Sequence, residues 1–269
     1  MESGPADSRA LPEIEAFESH GWRFTAVRHK AILPSTCVCG QKQPFCLFCQ
    51  YEQQLRIAVL PEMVFFKNSL QMEHQSGARI EFNSLDALRE VSEKATTGYC
   101  VAATDVWTKA RSECLADKKV ANNYDWTFSS SYKGTYRHLT TSATGECIDY
   151  NALRIREPIE FYQSFPLYED ELSDHGCSMM DLKFRCMPSG FFLLLRLYLR
   201  IDKVVVRMPE CRLHWRFASN YGLRECTLKE KSFCDLNETE RAAVMNVDEI
   251  SNLLEPVVLS RERVDFCDI

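Results

Sequence analysis

The sequence feature that most constrains the fold lies in the segment 183–217, where apolar side chains occupy every second position from Phe191 to Ile201. The positions between them become charged or polar toward the end of this run. A period of two is typical of a strand with one buried face, and the polar end predicts that its other face reaches solvent. Asp202-Lys203 favours a turn into the β-branched return strand that starts at Val204. The segment therefore predicts an antiparallel hairpin.

A helix is the alternative for this segment, because basic residues also recur along it at helical spacing, at Arg196, Arg200, Lys203 and Arg207. The valine run and the two flanking prolines favour the hairpin, since both are unfavourable inside a helix. We therefore expect the apolar face of the hairpin, which includes Leu195, to lie in the core.

Other segments predict a mixture of short helices and strands. Asn83-Ser84 is a good N-cap pair and precedes residues with helical periodicity. The elements expected from there on are a helix at 85–95, a strand at 99–103 and a helix at 105–116. Asp149 is expected to cap a further helix that runs to about residue 157 and ends at Pro158.

The composition is that of a globular protein, and its charge argues against two classes of partner. Of 269 residues, 45% are hydrophobic and 26% are charged, which is ordinary for a folded domain. A chain of this length can form one large domain or two small ones without disulfides. The formal net charge of −6 argues against a general binder of nucleic acid or of anionic membranes. No run of about 18 apolar residues occurs, so no membrane span is predicted.

The first 18 residues are polar and acidic and contain two prolines, which predicts a mobile N-terminal tail over 1–18 and a single domain over 19–269. The tail has neither the basic and apolar regions of a secretory signal nor the composition of a mitochondrial presequence. We therefore expect a cytoplasmic protein, with a nuclear location also open, whose 13 cysteines remain reduced.

Four cysteines lie close together in the loop 34–50, as Cys37-x-Cys39, a six-residue spacer and Cys46-x-x-Cys49. Four thiolates in one loop can close around a tetrahedral Zn²⁺. The spacer is shorter than the roughly 15–20 residues of the usual four-cysteine zinc ribbon, so a variable loop with incidental cysteines is the other interpretation. A catalytic zinc is not expected, because four thiolate ligands leave no open coordination position.

The segment 168–176 places four carboxylates and His175 close together. Such a group can hold a divalent metal or act as acid and base, or it can dock a cationic or metal-containing partner. A solvated acidic loop is the interpretation we favour, since adjacent carboxylates in a loop rarely converge. No dinucleotide fingerprint, phosphate-binding loop, His-Glu-x-x-His or Gly-x-Ser-x-Gly motif occurs, so a common dehydrogenase, kinase or hydrolase is not expected.

Five blocks of sequence follow one another in a characteristic order. They are Leu60-Pro61-Glu62-Met63-Val64-Phe65; Ile80-Glu81-Phe82-Asn83 with Asp86-Ala87-Leu88; Tyr124-Asp125-Trp126-Thr127 with Tyr132-Lys133-Gly134-Thr135; residues 167–176; and Met187-Pro188-Ser189-Gly190-Phe191-Phe192-Leu193-Leu194-Leu195-Arg196 with 199–202 and Arg207-Met208. Together they resemble the TOR-signalling-pathway-regulator-like family of type 2A protein phosphatase regulators. The resemblance covers about residues 21–230 and does not include the cysteine loop.

The resemblance implies a fold and a function. The implied fold is a single α+β domain with a sandwich-like core of mostly antiparallel sheets, helices packed outside, and a cleft for the C-terminal tail of the phosphatase. The implied function is non-enzymatic: binding to the catalytic subunits of type 2A-class phosphatases (2A, 4 and 6), their inhibition, and a place in TOR signalling. The positions that match family contact residues are Asp86, Ile148, Met208 and Glu210, the last where the family often has Asp. We expect Ile148 and Met208 to be exposed anchors.

No cofactor is required by this interpretation, although a structural zinc at Cys37, Cys39, Cys46 and Cys49 is compatible with it. The alternative is a metal-binding scaffold, or a metal-dependent enzyme that uses either the segment 168–176 or the four cysteines. Bound metal together with turnover would distinguish the enzyme, whereas metal without phosphatase binding would distinguish the scaffold.

Overall fold

A computed structural model describes residues 11–30, 32–34, 37–39, 46–55, 57, 59–91 and 126–267. The strand expected at 99–103 and the helix expected at 105–116 lie outside the described residues. Among the described residues, no helix is both long enough and apolar enough to cross a membrane.

Strands make up about half of the described residues and belong to two antiparallel sheets. They are β1 (Glu13–Ser19), β2 (Trp22–Arg28), β3 (Met63–Val64), β4 (Ser69–His74), β5 (Arg79–Asn83), β6 (Thr135–Arg137), β7 (Leu139–Ala143), β8 (Phe161–Asp170), β9 (Gly176–Met187), β10 (Gly190–Ile201), β11 (Val205–Arg216), β12 (Tyr221–Ser232) and β13 (Val257–Phe266). The smaller sheet has the order β1-β2-β4-β5-β6, and the larger has the order β3-β8-β9-β10-β11-β12-β13-β7.

Within the part of the chain that the structure describes, the helices are few and short. They are α1 (Leu47–Gln54), α2 (Ser84–Arg89), α3 (Tyr150–Arg154), α4 (Glu238–Ala243) and α5 (Val247–Leu253), with single 3₁₀ turns at Leu172–Asp174 and Phe233–Asp235. The single α+β domain built on antiparallel sheets is therefore confirmed. Mutual packing, rather than length, must hold helices this short in place.

The hairpin predicted from the alternating run is present as β10 and β11. Their register runs from Gly190 opposite Arg216 to Ile201 opposite Val205. Lys203 in the turn has φ 63°, the left-handed conformation that tight hairpin turns require. The helical alternative for this segment is wrong, because the valine run continues the ladder as a strand.

The two sheets face each other across one apolar core. Every second residue of β10 from Phe191 to Ile201 is buried in it, as the period of two predicted. Aromatic rings connect the sheets, with the Trp22 ring 5.0 Å from that of Trp215 and 5.2 Å from that of Phe191, centroid to centroid. Edge-on pairs at such distances stabilise the contact beyond the area that they bury.

The sequence indicated that the outer face of the larger sheet reaches solvent at the polar end of β10. In the structure, this part of the face is buried. Tyr198 is 2% exposed and Arg196 is 6% exposed. The helices α4 and α5 cover this face, and the Tyr198 hydroxyl donates a hydrogen bond to the carbonyl of Val244. The expectation was wrong because polar groups on a strand can be paired by a covering helix as well as by water.

The N-terminal strand β1 is a second difference. A mobile tail over 1–18 is wrong for residues 13–18, which pair with β2, Phe17 opposite Phe24. The Phe17 ring also stacks on Phe161 at 5.7 Å. The alternation of apolar and polar residues in β1 is weak, because the strand lies at a sheet edge and is mostly exposed. Residues 1–10 lie outside the described residues.

Both predicted helix caps are present. The Asn83 side chain accepts a hydrogen bond from the backbone amide of Asp86. The Asp149 side chain accepts hydrogen bonds from the backbone amides of the second and third residues after it. The helices are shorter than expected: α2 ends at Arg89, and Val91 then forms an isolated bridge with Ser130. The α3 helix ends at Arg154 rather than near 157.

The two faces of β10 give a direct test of the core. Leu193 is fully buried between the sheets, whereas its neighbour Leu194 is half-buried on the outer face. We expect Leu193→Ala to lower the free energy of unfolding by about 2–5 kcal/mol, because a cavity replaces the removed methyl groups. Leu194→Ala is the matched control and should cost clearly less in the same urea titration. Equal losses would contradict this assignment of the inner face.

Candidate functional site

A cavity of about 520 Å³ lies on the inner face of the larger sheet. Its floor comes from the central strands, with Leu195 and Leu197 on β10, Pro209 and Cys211 on β11, and Cys226 on β12. Its wall is the segment 129–133, which precedes β6. We call this cavity, with its floor and wall, the groove. An apolar floor beside a polar wall is typical of a site that binds a ligand or an extended peptide.

The wall of the groove is held by hydrogen bonds to the smaller sheet and to α2. The Tyr132 hydroxyl donates to the Glu81 carbonyl at 2.9 Å, and the Ser130 hydroxyl donates to the Ala87 carbonyl at 2.6 Å. Burial raises the pKa of Tyr132 well above its usual range, so the phenol remains a donor. Gly134 has φ +96°, and a Cβ there would meet the Phe82 ring at 2.7 Å, so the turn requires glycine.

Asp86, a predicted contact residue, braces this wall. Its carboxylate accepts hydrogen bonds from the Thr135 hydroxyl at 2.7 Å and from the Asn83 amide at 3.1 Å. Arg89 forms an ion pair with it at 2.6 Å, and the side chain is 21% exposed. Asp86 therefore stands behind the wall of the groove, connected to it through Thr135, and leaves part of its carboxylate accessible.

The rim of the groove includes Leu259, which sequence reasoning missed. The pairing of β12 with β13 shifts register between Cys226 and Thr227, so Leu259 has no partner opposite it. A bulge of this kind turns a side chain out of the regular alternation. The Leu259 side chain is 60% exposed and lines the groove. No sequence signal identifies it, because the bulge follows from strand register.

Two thiols of the floor lie opposite each other on neighbouring strands. Cys211 pairs in register with Cys226, and both are buried and free. The hydrogen bond between the two thiols lowers the pKa of Cys226 and raises that of Cys211. The positive charges of Lys133 and Arg224 act in the same direction on Cys226. The pair adds a polarisable patch to an otherwise aliphatic floor.

Glu210, the second predicted contact residue, is the centre of a buried ionic network on the outer face of the larger sheet. Arg196 donates to its carboxylate at 2.9 Å, Ser251 donates at 3.2 Å, and Arg212 forms a further close ion pair. Lys229 lies 3.7 Å away. Burial would raise the pKa of Glu210, but the positive charges of Arg212, Arg196 and Lys229 outweigh it, so the pKa is lowered. The Glu210 side chain is 0% exposed.

The expectation that Met208 and Ile148 are exposed anchors is wrong. Met208 is 0% exposed and Ile148 is 2% exposed. Met208 lies in a second apolar cluster on the outer face, together with Tyr198, Val206, Leu236, Ala243, Val244, Ile250 and Leu254. Residues 236–254 supply five of these eight side chains and cover the strand. Asp86 stands on the opposite side of the larger sheet, so the four predicted residues do not share one surface.

The acidic segment 168–176 has mainly structural roles. Asp170 accepts the amide hydrogens of Glu62 at 3.0 Å and of Leu172 at 2.7 Å, which fixes the turn after β8. Burial raises the pKa of Asp170 and also that of Glu169. Among the described residues, the one group of His, Cys, Asp or Glu side chains that converges as metal ligands is elsewhere in the chain. The favoured interpretation of a solvated acidic loop is wrong for Asp170, which is only 8% exposed.

That convergent group consists of Cys37, Cys39, Cys46 and Cys49, which we call the thiol cluster. Their sulfur atoms all lie within 4.8 Å of one another. The backbone amide of Cys49 and that of Val38 lower the pKa of Cys46 to about 6. The sequence spacing had indicated these four residues, and the structure brings all of them together.

A model of the family described as TIP41-like matches residues 63–237, which include α2, the wall and the floor of the groove, and Glu210. The chain belongs to the TIP41-like family. The resemblance that the five sequence blocks indicated is thereby confirmed. The matched residues begin after the thiol cluster, so that cluster lies outside the part of the chain that defines the family.

Several curated TIP41-like proteins are similar over most of the chain. The TIP41-like protein of Homo sapiens is 41% identical over 205 residues, which is 75% of this chain and 75% of that protein. The TIP41-like protein of Caenorhabditis elegans is 34% identical over 257 residues, 90% of this chain and 91% of that protein. A Saccharomyces cerevisiae relative, 30% identical over 202 residues that make up 68% of this chain and 56% of that protein, is named type 2A phosphatase activator TIP41.

The ionic network predicts a pH-dependent loss of stability. Because the pKa of Glu210 is lowered in the folded state, its stabilising effect is complete above the unfolded pKa of about 4.3 and is lost as the pH falls through the folded pKa. Glu210→Gln leaves buried positive charge unbalanced, so we expect a loss of about 3–5 kcal/mol at pH 7. The advantage of the unchanged protein over this variant should shrink in urea titrations below about pH 4.

Glu230→Gln is the matched control for this experiment. Its carboxylate pairs with Arg207 at 3.1 Å but is 40% exposed. Exposed pairs contribute at most about 1 kcal/mol, so this variant should unfold almost as the unchanged protein does. Similar losses in both variants, or a Glu210→Gln effect that is independent of pH, would contradict the assigned network.

Proposed function

We propose that this TIP41-like chain is a non-enzymatic regulator that binds the catalytic subunit of a type 2A-class phosphatase. The observation that carries the proposal is the family match over residues 63–237, since that range includes the floor and the wall of the groove. Two yeast members of the family are named type 2A phosphatase activators, at 30% and 29% identity to this chain. The catalytic subunits of phosphatases 2A, 4 and 6 are the partners to test.

The groove is the surface that we assign to the partner. Its volume of about 520 Å³ falls within the range of about 300–1,000 Å³ that is usual for ligand sites. Leu195 and Leu197, each 2% exposed, line its apolar floor. Lys133 places positive charge at its edge, where Arg207 also lies, paired with Glu230. This combination suits an extended peptide with apolar side chains and a terminal carboxylate, such as the C-terminal tail of a catalytic subunit.

The four predicted contact residues take different parts in this proposal. Asp86 is a positioning residue, because it holds the wall through Thr135 and keeps 21% of its side chain accessible. Met208 and Glu210 lie on the outer side of the larger sheet, and Ile148 is likewise buried, so none of the three side chains offers an accessible surface. Met208→Ala is therefore expected to lower stability, so it cannot report on binding alone.

The direction of regulation is a separate question. The resemblance implied inhibition, but the yeast relatives are named activators, which conflicts with that expectation. We therefore propose regulation through binding and leave its sign to the assay. A place in TOR signalling and a cytoplasmic location remain parts of the same proposal and rest on the resemblance.

A metal-binding scaffold is the second candidate function, because the thiol cluster brings four soft ligands together. A metal-dependent enzyme at the segment 168–176 has less support, since Asp170 already accepts two backbone hydrogen bonds. The phosphatase regulator and the metal-binding scaffold differ in a measurable way. A scaffold of this kind would retain metal but would not bind any type 2A-class catalytic subunit.

Titration calorimetry against a recombinant type 2A catalytic subunit tests the proposed function. We expect tight binding by the unchanged chain and a loss of about 1–3 kcal/mol in Leu259→Ala, because this exposed side chain lines the groove. Asp86→Ala should weaken binding through disorder of the wall. Leu253→Ala is the matched control, since this partly exposed leucine lies on α5, away from the groove.

The same titration has two contradicting outcomes. If the unchanged chain does not bind any catalytic subunit of the class, the proposed function is wrong. If Leu259→Ala and Asp86→Ala bind as tightly as Leu253→Ala does, the groove is not the binding surface. A phosphatase assay on the bound complex then gives the sign of the regulation.

A further inference from the structure

The thiol cluster has the geometry of a metal site. The Sγ atom of Cys37 lies 3.1 Å from those of Cys39 and Cys49 and 3.9 Å from that of Cys46. The Sγ atom of Cys49 lies 3.6 Å from that of Cys39 and 3.7 Å from that of Cys46. A tetrahedral zinc with bonds of about 2.3 Å to sulfur places its ligands about 3.8 Å apart. Three of these five separations, 3.6, 3.7 and 3.9 Å, lie close to this value, and the two of 3.1 Å are shorter.

We propose that Cys37, Cys39, Cys46 and Cys49 bind one Zn²⁺ ion as a structural site. Thiolates are soft ligands, and four of them in a compact group favour zinc over the hard cations that prefer oxygen ligands. With all four positions filled by protein, the ion has no vacancy for water or substrate, so the site is structural. Binding displaces the thiol protons to solvent and leaves the ion with four sulfur ligands and no change in oxidation state.

The cluster joins two separate segments of the chain. Cys37 and Cys39 lie in a segment without regular structure, while Cys46 is the N-cap of α1 and Cys49 is its third residue. The ion therefore connects the beginning of α1 to the chain that follows β2. This connection is the structural effect that we assign to the metal.

The helix α1 needs such an anchor. It has eight residues, none of which is fully buried, and its N-cap is a cysteine rather than one of the residue types that usually cap a helix. A helix of this length is unstable alone, since isolated helices below about 12–15 residues are marginal in water. Two further contacts lie farther along the helix: the Tyr51 hydroxyl donates to the Phe66 carbonyl at 3.2 Å, and the Gln54 side chain accepts from Arg89 at 3.1 Å. Phe48 lines a small cavity of about 290 Å³ beside Leu60 and Pro61.

The zinc site and the proposed phosphatase binding stand independently. The thiol cluster precedes the residues that match the family model, which begin at Met63, and none of its members lines the groove. A metal site there would therefore lie outside the residues that match the family model. Failure of either proposal leaves the other intact.

Metal analysis of the full chain is the first test. The protein is purified in a thiol-free reductant without added zinc, and its metal content is measured by emission spectrometry. We expect about one equivalent of zinc per chain, because a structural site should be nearly full. A double variant, Cys37→Ser with Cys46→Ser, should lose at least about nine-tenths of it, since two of the four ligands are gone.

The matched control is Cys147→Ser with Cys234→Ser. Both cysteines are exposed and free, and neither belongs to the thiol cluster. This variant should retain its zinc. The comparison separates loss of a bound ion from a general effect of removing two thiols.

Cobalt titration of the unchanged chain keeps the proposal testable if the double variant does not fold. Metal is first removed with a chelator, and Co²⁺ is then added in the presence of reductant. We expect the visible and near-ultraviolet absorption of a tetrahedral cobalt–thiolate centre to saturate at about one equivalent. Zinc should then displace the cobalt and abolish the absorption.

Two results would overturn the proposal. One is less than about a tenth of an equivalent of zinc together with no tetrahedral cobalt spectrum, because a closed four-thiolate site would show both. The other is equal zinc content in the Cys37→Ser, Cys46→Ser variant and in the unchanged chain, which would assign the ion to another site.

Discussion

The contact between the two sheets is the interaction on which the rest of the structure depends. At one end of β10, Phe191 packs with Trp22 and Trp215 and closes the core. Farther along the same face, Leu195 and Leu197 form the floor of the groove. One strand face thus serves as core and as candidate site, because its pleat keeps these side chains on the same side of the sheet.

The outer face of the larger sheet follows a different physical principle. There the strands carry charged side chains. Glu210 lies among Arg196, Arg212 and Lys229 beneath α4 and α5, and Asp248 is a second carboxylate partner of Arg196. A buried carboxylate is tolerable because its neighbours are positive and donate hydrogen bonds to it. The short helices in turn are attached by this network and by the apolar cluster around Met208. Removing one charge would therefore affect the helices as well as the strand.

Sequence reasoning succeeded where the signal was local. Alternation predicted the β10–β11 hairpin, side-chain capping predicted the helices that follow Asn83 and Asp149, and spacing predicted the members of the thiol cluster. It failed where the deciding contact is remote in sequence. Met208 was expected to be exposed, but it is covered by α4 and α5, which lie 30–45 residues later in the chain. The rim residue Leu259 depends on a register shift that only strand pairing produces.

The sequence by itself determined the fold class, the hairpin at the centre of the larger sheet and membership of the TIP41-like family, since these depend on periodicity and on ordered motifs. The tertiary structure decided which of the conspicuous residues are accessible. The Asp86 side chain keeps 21% of its surface accessible behind the wall, whereas Glu210 and Met208 are enclosed. The physical reason is that periodicity shows that a strand has two faces, but what covers each face depends on packing between distant segments.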